Sequence, residues 1–167
     1  TVSAVDPASE LLHDPDIRNT LLDQAGRLRN VEARGEGSFA FNMLPQTQDE
    51  ADALPARSMY GESYAYYRGP LGRHSRATGW GIIRYDVFAH FSPFAHMDWI
   101  APRPLLMIAG SEADTLHFSE SAVTMAGSNA ELFCIDGASH MDLYFKEIFV
   151  HIAIEKLSTF FSHNLST

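Results

Sequence analysis

Two residues in this chain stand where acid–base chemistry is commonly done. Asp114 follows a short apolar run, Leu105-Leu106-Met107-Ile108-Ala109, across the loop Gly110-Ser111-Glu112-Ala113. His140 follows a second run, Ala130-Glu131-Leu132-Phe133-Cys134-Ile135-Asp136, across Gly137-Ala138-Ser139. Both runs read as buried strands of a parallel sheet, and in such sheets sites form where loops leave the carboxyl ends of the strands. Neighbouring strands lie about 4.8 Å apart, so these loops can bring the Asp114 carboxylate to Nδ1 of His140. That contact fixes the tautomer of the ring and stabilises the imidazolium formed when it takes a proton from a serine. Gly137 and Ala138 leave the turn open enough for the imidazole to project.

Each candidate has a plainer alternative. A loop histidine can simply be a surface residue, and an aspartate after a strand can be a helix cap or turn residue. Glu112 competes with Asp114 for the acid role. Asp142 reads as a cap for the final helix, and His117 as a loop or first-turn residue. The eight histidines raise the question of a metal. Only His90 and His96 are close in sequence, and neither a His-x₃-His pair nor a Cys/His cluster occurs, so no metal or cofactor is expected.

The elements that must position Asp114 and His140 can be read around them. Asp14-Pro15 starts a helix that places Ile17, Leu21, Leu22, Ala25, Leu28 and Val31 at helical spacing, with Gly35 as its stop. A short acidic helix is expected near Gln48–Leu54. An aromatic-rich segment follows at Tyr60–Tyr67 and reads as packing or as a cover over a site. Ile82–Phe88 is ambiguous between strand and helix, and Trp80 and Trp99 are expected to be buried. Beyond Pro104 the pattern becomes strand, loop, helix from Phe118 to Ala126 with Gly127 as its stop, strand, loop, helix. That order is a βαβ unit. The closing helix is expected to bury Ile148, Ile152, Leu157, Phe160 and Phe161.

The bulk properties bound the rest. A chain of 167 residues is long enough for one domain with its own core. The net charge of -9 and the absence of a basic stripe argue against nucleic-acid or anionic-membrane partners. No apolar run approaches the roughly 20 residues that span a bilayer. A single cysteine, Cys134, rules out an internal disulfide and suits a reducing compartment, so a cytoplasmic location is expected. Thr1-Val2-Ser3-Ala4-Val5 looks like the tail of a buried strand. The expectation is that sequence before it has been removed; loss of an initiator Met from a complete small protein is the alternative.

Together these motifs carry a family resemblance. Pro104 to Gly110 with Asp114, then Asp136 to Tyr144 and the terminal helix, resemble the end of an α/β-hydrolase. They are similar in particular to the dienelactone-hydrolase-like and polyketide-transferase-like branch. The helix 14–33, Tyr66-Tyr67-Arg68-Gly69-Pro70 and Ala95 to Pro104 also resemble that branch, so the resemblance covers nearly the whole chain. It implies an α/β fold: the C-terminal portion of an α/β-hydrolase, with parallel strands, flanking helices and a largely helical insert. The implied organisation is a strand remnant at 1–5, a helix at 14–35, an insert or cover at 36–100, and the Asp- and His-bearing unit at 101–167. It further implies a triad in the order Ser, Asp or Glu, His, with Asp114 and His140 in the second and third places. The implied substrate is a small acyl compound: an ester, thioester or lactone.

The chain departs from that family at the nucleophile. No G-x-S-x-G elbow occurs; the nearest string, Gly61-Glu62-Ser63-Tyr64-Ala65, lacks the final glycine and the apolar strand in front. The serine is therefore expected upstream of Thr1, and the chain alone is expected to be inactive. The contrasting expectation is a non-catalytic interaction or structural protein, associating with itself or with an N-terminal chain through an open sheet edge.

Overall fold

The computed structural model describes residues 1–6, 9, 14–37, 41–42, 44–76, 80–81 and 85–165. They fall into two compact units: Thr1–Val5, Pro45–Ala77 and His96–Thr167 form one, and Asp6–Leu44 with Thr78–Ala95 the other.

The first unit is built on a parallel pair, β3 (Leu105–Gly110) and β4 (Ala130–Ile135), joined by helix α5 (Leu116–Ala126). Leu105 pairs with Ala130 and Gly110 with Ile135, so the strands end level. Residues 1–3 run parallel to β3: Ile108 N–H donates to the Thr1 carbonyl at 2.8 Å, and Ser3 N–H donates to the Ile108 carbonyl at 3.0 Å. β3 is buried because both its faces are covered. Leu106 and Ile108 join Ile135, Ala138, Leu143 and Ala153 in one core cluster. Helix α5 packs on both strands and buries Phe118 and Ala122. Full burial of each large aliphatic side chain contributes about 1.5–3 kcal/mol.

Two expectations about burial need correction. β4 exposes Glu131 and Cys134, because among the described residues it has β3 as its only strand neighbour. An apolar run alone does not distinguish such an edge from a central strand. The terminal helix, α7 (Glu147–Leu165), turns only part of the expected stripe inward. Phe149, Ala153, Leu157 and Phe160 pack on the core, while Ile148, Ile152 and Phe161 are exposed. Apolar residues flank this helix on more than one side, so several stripes share its period. Helix α6 (Asp142–Phe145) precedes it.

The same unit contains α2 (Gln48–Asp52) and α3 (Met59–Arg68), so the aromatic segment is helical. A 3₁₀ turn covers Met97–Ile100. Trp99, expected to be buried, is 66 % exposed and stacks on His96 with ring centroids 4.0 Å apart.

In the second unit, α1 (Pro15–Ala33) starts at Asp14, whose Oδ1 accepts from Asp16 N–H at 2.8 Å and Ile17 N–H at 3.1 Å. Gly35, at φ 73°, follows its end. Leu21, Leu22, Ala25, Leu28 and Val31 turn inward to varying degrees, and Ile17 is exposed. Strands β1 (Phe41–Asn42) and β2 (Trp80–Gly81) form a short antiparallel pair. Helix α4 (Tyr85–Phe88) joins α1 through an Arg29–Asp86 ion pair. The ambiguous segment at 82–88 is thus helical from Tyr85; residues 82–84 and the Trp80 side chain lie outside the described residues. The stretch 36–100 is shared between the two units.

One buried group is out of balance. Ser119 in α5 is 0 % exposed and its hydroxyl meets no hydrogen-bond partner among the described residues. Stranding a hydroxyl costs about 1–3 kcal/mol, and alanine is the better helix former. Ser119→Ala is expected to raise stability by about 0.5–2 kcal/mol, read as an increased urea midpoint. A lowered midpoint would refute this account of the site.

Candidate functional site

The loops leaving β3 and β4 are stitched to each other immediately beyond the strands. Ser111 N–H donates to the Ile135 carbonyl at 2.9 Å, and Glu112 N–H to the Ala138 carbonyl at 3.0 Å. Gly137 N–H donates to Ser111 Oγ at 2.9 Å. Gly110 makes this approach feasible. A Cβ there would lie 2.1 Å from the Ala138 carbonyl oxygen and 2.9 Å from that of Ser139. Gly137 turns the second loop at φ 71°, a conformation that favours glycine.

His140 enters through a reciprocal cap. Ser139 Oγ accepts from Asp142 N–H at 3.2 Å, and Asp142 Oδ2 accepts from Ser139 N–H at 3.2 Å. This is a capping-box arrangement with aspartate in the third position, and it fixes the backbone at His140. Ser139 Oγ also donates to Glu62 of α3. Asp142 is buried, which pushes its carboxyl up. Lys146 at 2.6 Å, the Ser139 amide and Arg57 at 3.4 Å outweigh that effect and leave it below its ordinary value. Asp142 thus caps at the His140 turn, ahead of the terminal helix.

His140 is 1 % exposed, so the expectation of a projecting ring is corrected: the Gly-Ala turn is open, but Thr115 and Tyr144 of α6 close on the ring. Both ring nitrogens are engaged. Nδ1 lies 2.6 Å from Thr115 Oγ1 and Nε2 lies 3.0 Å from the Tyr144 hydroxyl. In the neutral ring one nitrogen donates and the other accepts, and the rotatable hydroxyls accommodate either tautomer. Burial lowers the pKa of His140 below 6.5, and the negative charge of Asp114 partly offsets this.

Asp114 is exposed at the same sheet end. Its Oδ2 accepts from Met59 N–H at 2.9 Å, at the start of α3. The structure therefore brings Asp114 into electrostatic range of His140 and gives the hydrogen bond at Nδ1 to the neighbouring residue, Thr115. Glu112 turns away to Arg57, at 2.9 Å. His117 lies in the first turn of α5, with Nδ1 2.9 Å from the Asp114 carbonyl. Ser63 is buried within α3 and donates to the Tyr60 carbonyl at 2.6 Å, with no strand–helix elbow around it. Among the described residues no group of three or more His, Cys, Asp and Glu side chains could hold a metal ion. No helix among them is long and apolar enough to cross a membrane.

Thr115, Tyr144, Glu62 and Arg57 were not singled out from the sequence. One of them, Tyr144, had a signal. Ser139-x-x-Asp142 matches the capping pattern, and a helical turn beginning there places Tyr144 four residues beyond His140, on the same face. Tyr144 is bracketed in turn, with the Tyr66 ring edge-on at 5.5 Å. Burial, then the neighbouring Tyr67 and Tyr66, pushes its phenol up from 10.0.

No family model matches the chain. It is 34 % identical over 104 residues to the uncharacterized protein PA2218 of Pseudomonas aeruginosa, covering 60 % of this chain and 28 % of that protein. It is 26 % identical over 145 residues to the uncharacterized protein YcjY of Escherichia coli, covering 85 % of this chain and 46 % of that one. The crystal structure of PA2218 superposes with a TM-score of 0.77 at 26 % identity, over 98 % of this chain and 52 % of the other. The structure of DcsB in complex with its substrate analogue superposes with a TM-score of 0.68 at 15 % identity, over 90 % of this chain and 52 % of DcsB. The chain thus shares a mixed α/β fold with PA2218 and DcsB and spans about half or less of the length of the proteins it matches.

Two outcomes follow from this geometry. Gly110→Ala is expected to destabilise by about 2 kcal/mol or more, since the new methyl meets backbone that cannot yield without parting the loops; urea unfolding measures it, and an unchanged midpoint would contradict the close approach. For pH, the folded state holds His140 with a lowered pKa, so the unfolded chain binds the extra proton first. The contribution is fully present above about 6.5 and is lost as pH falls from there toward the lower folded value. Thermal unfolding scans at pH 7.5 and 5.5 should show a falling midpoint, and His140→Gln should flatten that slope.

Proposed function

We propose that this chain is the acid- and histidine-bearing portion of a serine hydrolase of the α/β-hydrolase type. Its substrate is a small ester, thioester or lactone, and the nucleophilic serine comes from sequence outside these 167 residues. The observation that carries the reading is the state of His140. A buried histidine, held at both nitrogens, placed where a strand ends and with its pKa lowered by burial, suits the role of a general base. It would act as general base toward the serine and then as general acid toward the leaving group. Asp114 would stabilise the imidazolium by charge, and Thr115 would orient the ring through Nδ1. The likeness to DcsB, at 15 % identity, supports the fold of this reading and leaves its chemistry to the site. Cys134, free and exposed, suits the reducing, cytoplasmic setting of the proposal.

A second reading rests on a different observation. Ile148, Ile154, Phe161 and Leu165 are exposed along α7, and apolar surface of this kind also suits a non-catalytic interaction protein.

A fluorophosphonate probe separates the two. The full gene product is expected to take the label, and this chain alone is not. His140→Ala is expected to lower ester turnover of the full product by roughly 10,000-fold or more. Asp114→Asn should lower it by about 100- to 10,000-fold. A full product that takes no label, or whose turnover survives His140→Ala within about threefold, ends the hydrolase reading.

A further inference from the structure

We infer that Arg57 is a positioning residue, a three-armed clasp that holds the Asp114 loop and the His140 loop in fixed relation. Its catalytic consequence rests on the hydrolase reading; the clasp itself does not. Arg57 occupies the third position of a four-residue turn, Pro55 to Ser58, closed by Ser58 N–H donating to the Pro55 carbonyl at 3.1 Å. Its φ is 62°, a conformation that suits glycine or asparagine and is costly for a long side chain. The backbone gives no reason for arginine at this position, but the side chain does. Nε pairs with Glu112 Oε2 at 2.9 Å, two residues before Asp114. Nη2 donates to the Gly137 carbonyl at 2.9 Å and reaches Asp142 Oδ2 at 3.4 Å.

These three acceptors belong to the loop after β3, the loop after β4 and the cap that sets His140. The planar guanidinium, with donors in a fixed fork, can serve acceptors in different directions at once. A lysine ammonium is a point charge and would serve fewer of them. The Glu112 arm is solvent-exposed and adds little by itself. The Gly137 and Asp142 arms meet the loop that carries His140, and Asp142 is a buried carboxylate that needs its partners. The same turn leads directly into Ser58 and Met59, where Asp114 accepts from the Met59 amide. Arg57 is thus tied to the acid by its backbone and to the histidine by its side chain.

The test is amide hydrogen exchange on the full gene product carrying Arg57→Asn, which tolerates the left-handed backbone and removes the guanidinium. Exchange at the Glu112 and Ser139 amides, which bond across and within the two loops, is expected to rise by about tenfold or more. Exchange at the Ile108 and Ala153 amides should stay unchanged. In the full gene product the same variant should lower kcat for an ester by about tenfold, with KM within about threefold, and Arg57→Lys should recover part of the loss. Unchanged exchange at both loop amides overturns the clasp. So does a uniform rise that includes Ile108 and Ala153, because that marks a general stabiliser. Should Arg57→Asn fail to fold, Arg57→Lys decides on the same amides. A full product without esterase activity ends the hydrolase reading and leaves the exchange result to judge Arg57.

Discussion

The register of β3 against β4 is the constraint on which the site depends. Because Gly110 pairs with Ile135, the two strands end together and their loops begin at one level. A slip of one residue would turn every side chain to the opposite face, taking Ile108 out of the core cluster. It would also remove the close approach of Gly110 to Ala138 and with it the bond from Glu112 N–H to the Ala138 carbonyl. Thr115 reaches His140 only because these loops are locked. The placement of chemistry here is therefore a consequence of core packing some distance below it.

Above that platform, the histidine is held by polar groups that compensate one another. Asp142 is a buried charge, and an unpaired buried charge costs several kcal/mol (order of magnitude). Ser139, Lys146 and Arg57 meet it, each from a different piece of chain. The result is a short helical turn that begins at His140 and presents Tyr144 to the same ring. In the proposed catalytic role such rigid support would matter, because a misplacement of about 1 Å can cost roughly 100-fold in rate.

Much of this was legible in the amino-acid sequence, for reasons that differ by region. β3 was readable because Pro104 and Gly110 bracket five apolar residues; α1 was readable because Asp14-Pro15 is a strong start and Gly35 a strong stop. The βαβ order placed Asp114 and His140 at one sheet end without further information. Burial was harder to read. α7 carries apolar residues around most of its circumference, so its period alone did not select Phe149 and Ala153 over Ile148 and Ile152. Trp99 stacks on a histidine at the surface, which a preference of tryptophan for the interior does not anticipate. The exact partner at Nδ1 was out of reach as well, since Asp114 and Thr115 are adjacent and a shift of one residue in the loop exchanges them. Arg57 left no trace, because nothing in its neighbours signals a left-handed turn.

The bonding of His140 also defines what catalysis would require of it. In the proposed role Nε2 must face the serine hydroxyl, yet here it meets the Tyr144 phenol. Tyr144 lies at the edge of the site, partly exposed, outside the core cluster and against the Tyr66 ring, so turning it aside would break that ring contact and leave the core cluster intact. Exchanging one hydrogen bond for another changes the free energy by about 1 kcal/mol, small beside the roughly 8 kcal/mol or more that a modest enzyme removes from a barrier. Nδ1 is different. Thr115 is buried and tied into the first turn of α5, so the orientation it imposes persists through such an exchange. The two nitrogens thus have unequal freedom: one is anchored by the interior, the other is held by a group that can leave. A general base needs that asymmetry, because the ring must keep its direction while its reactive nitrogen changes partner.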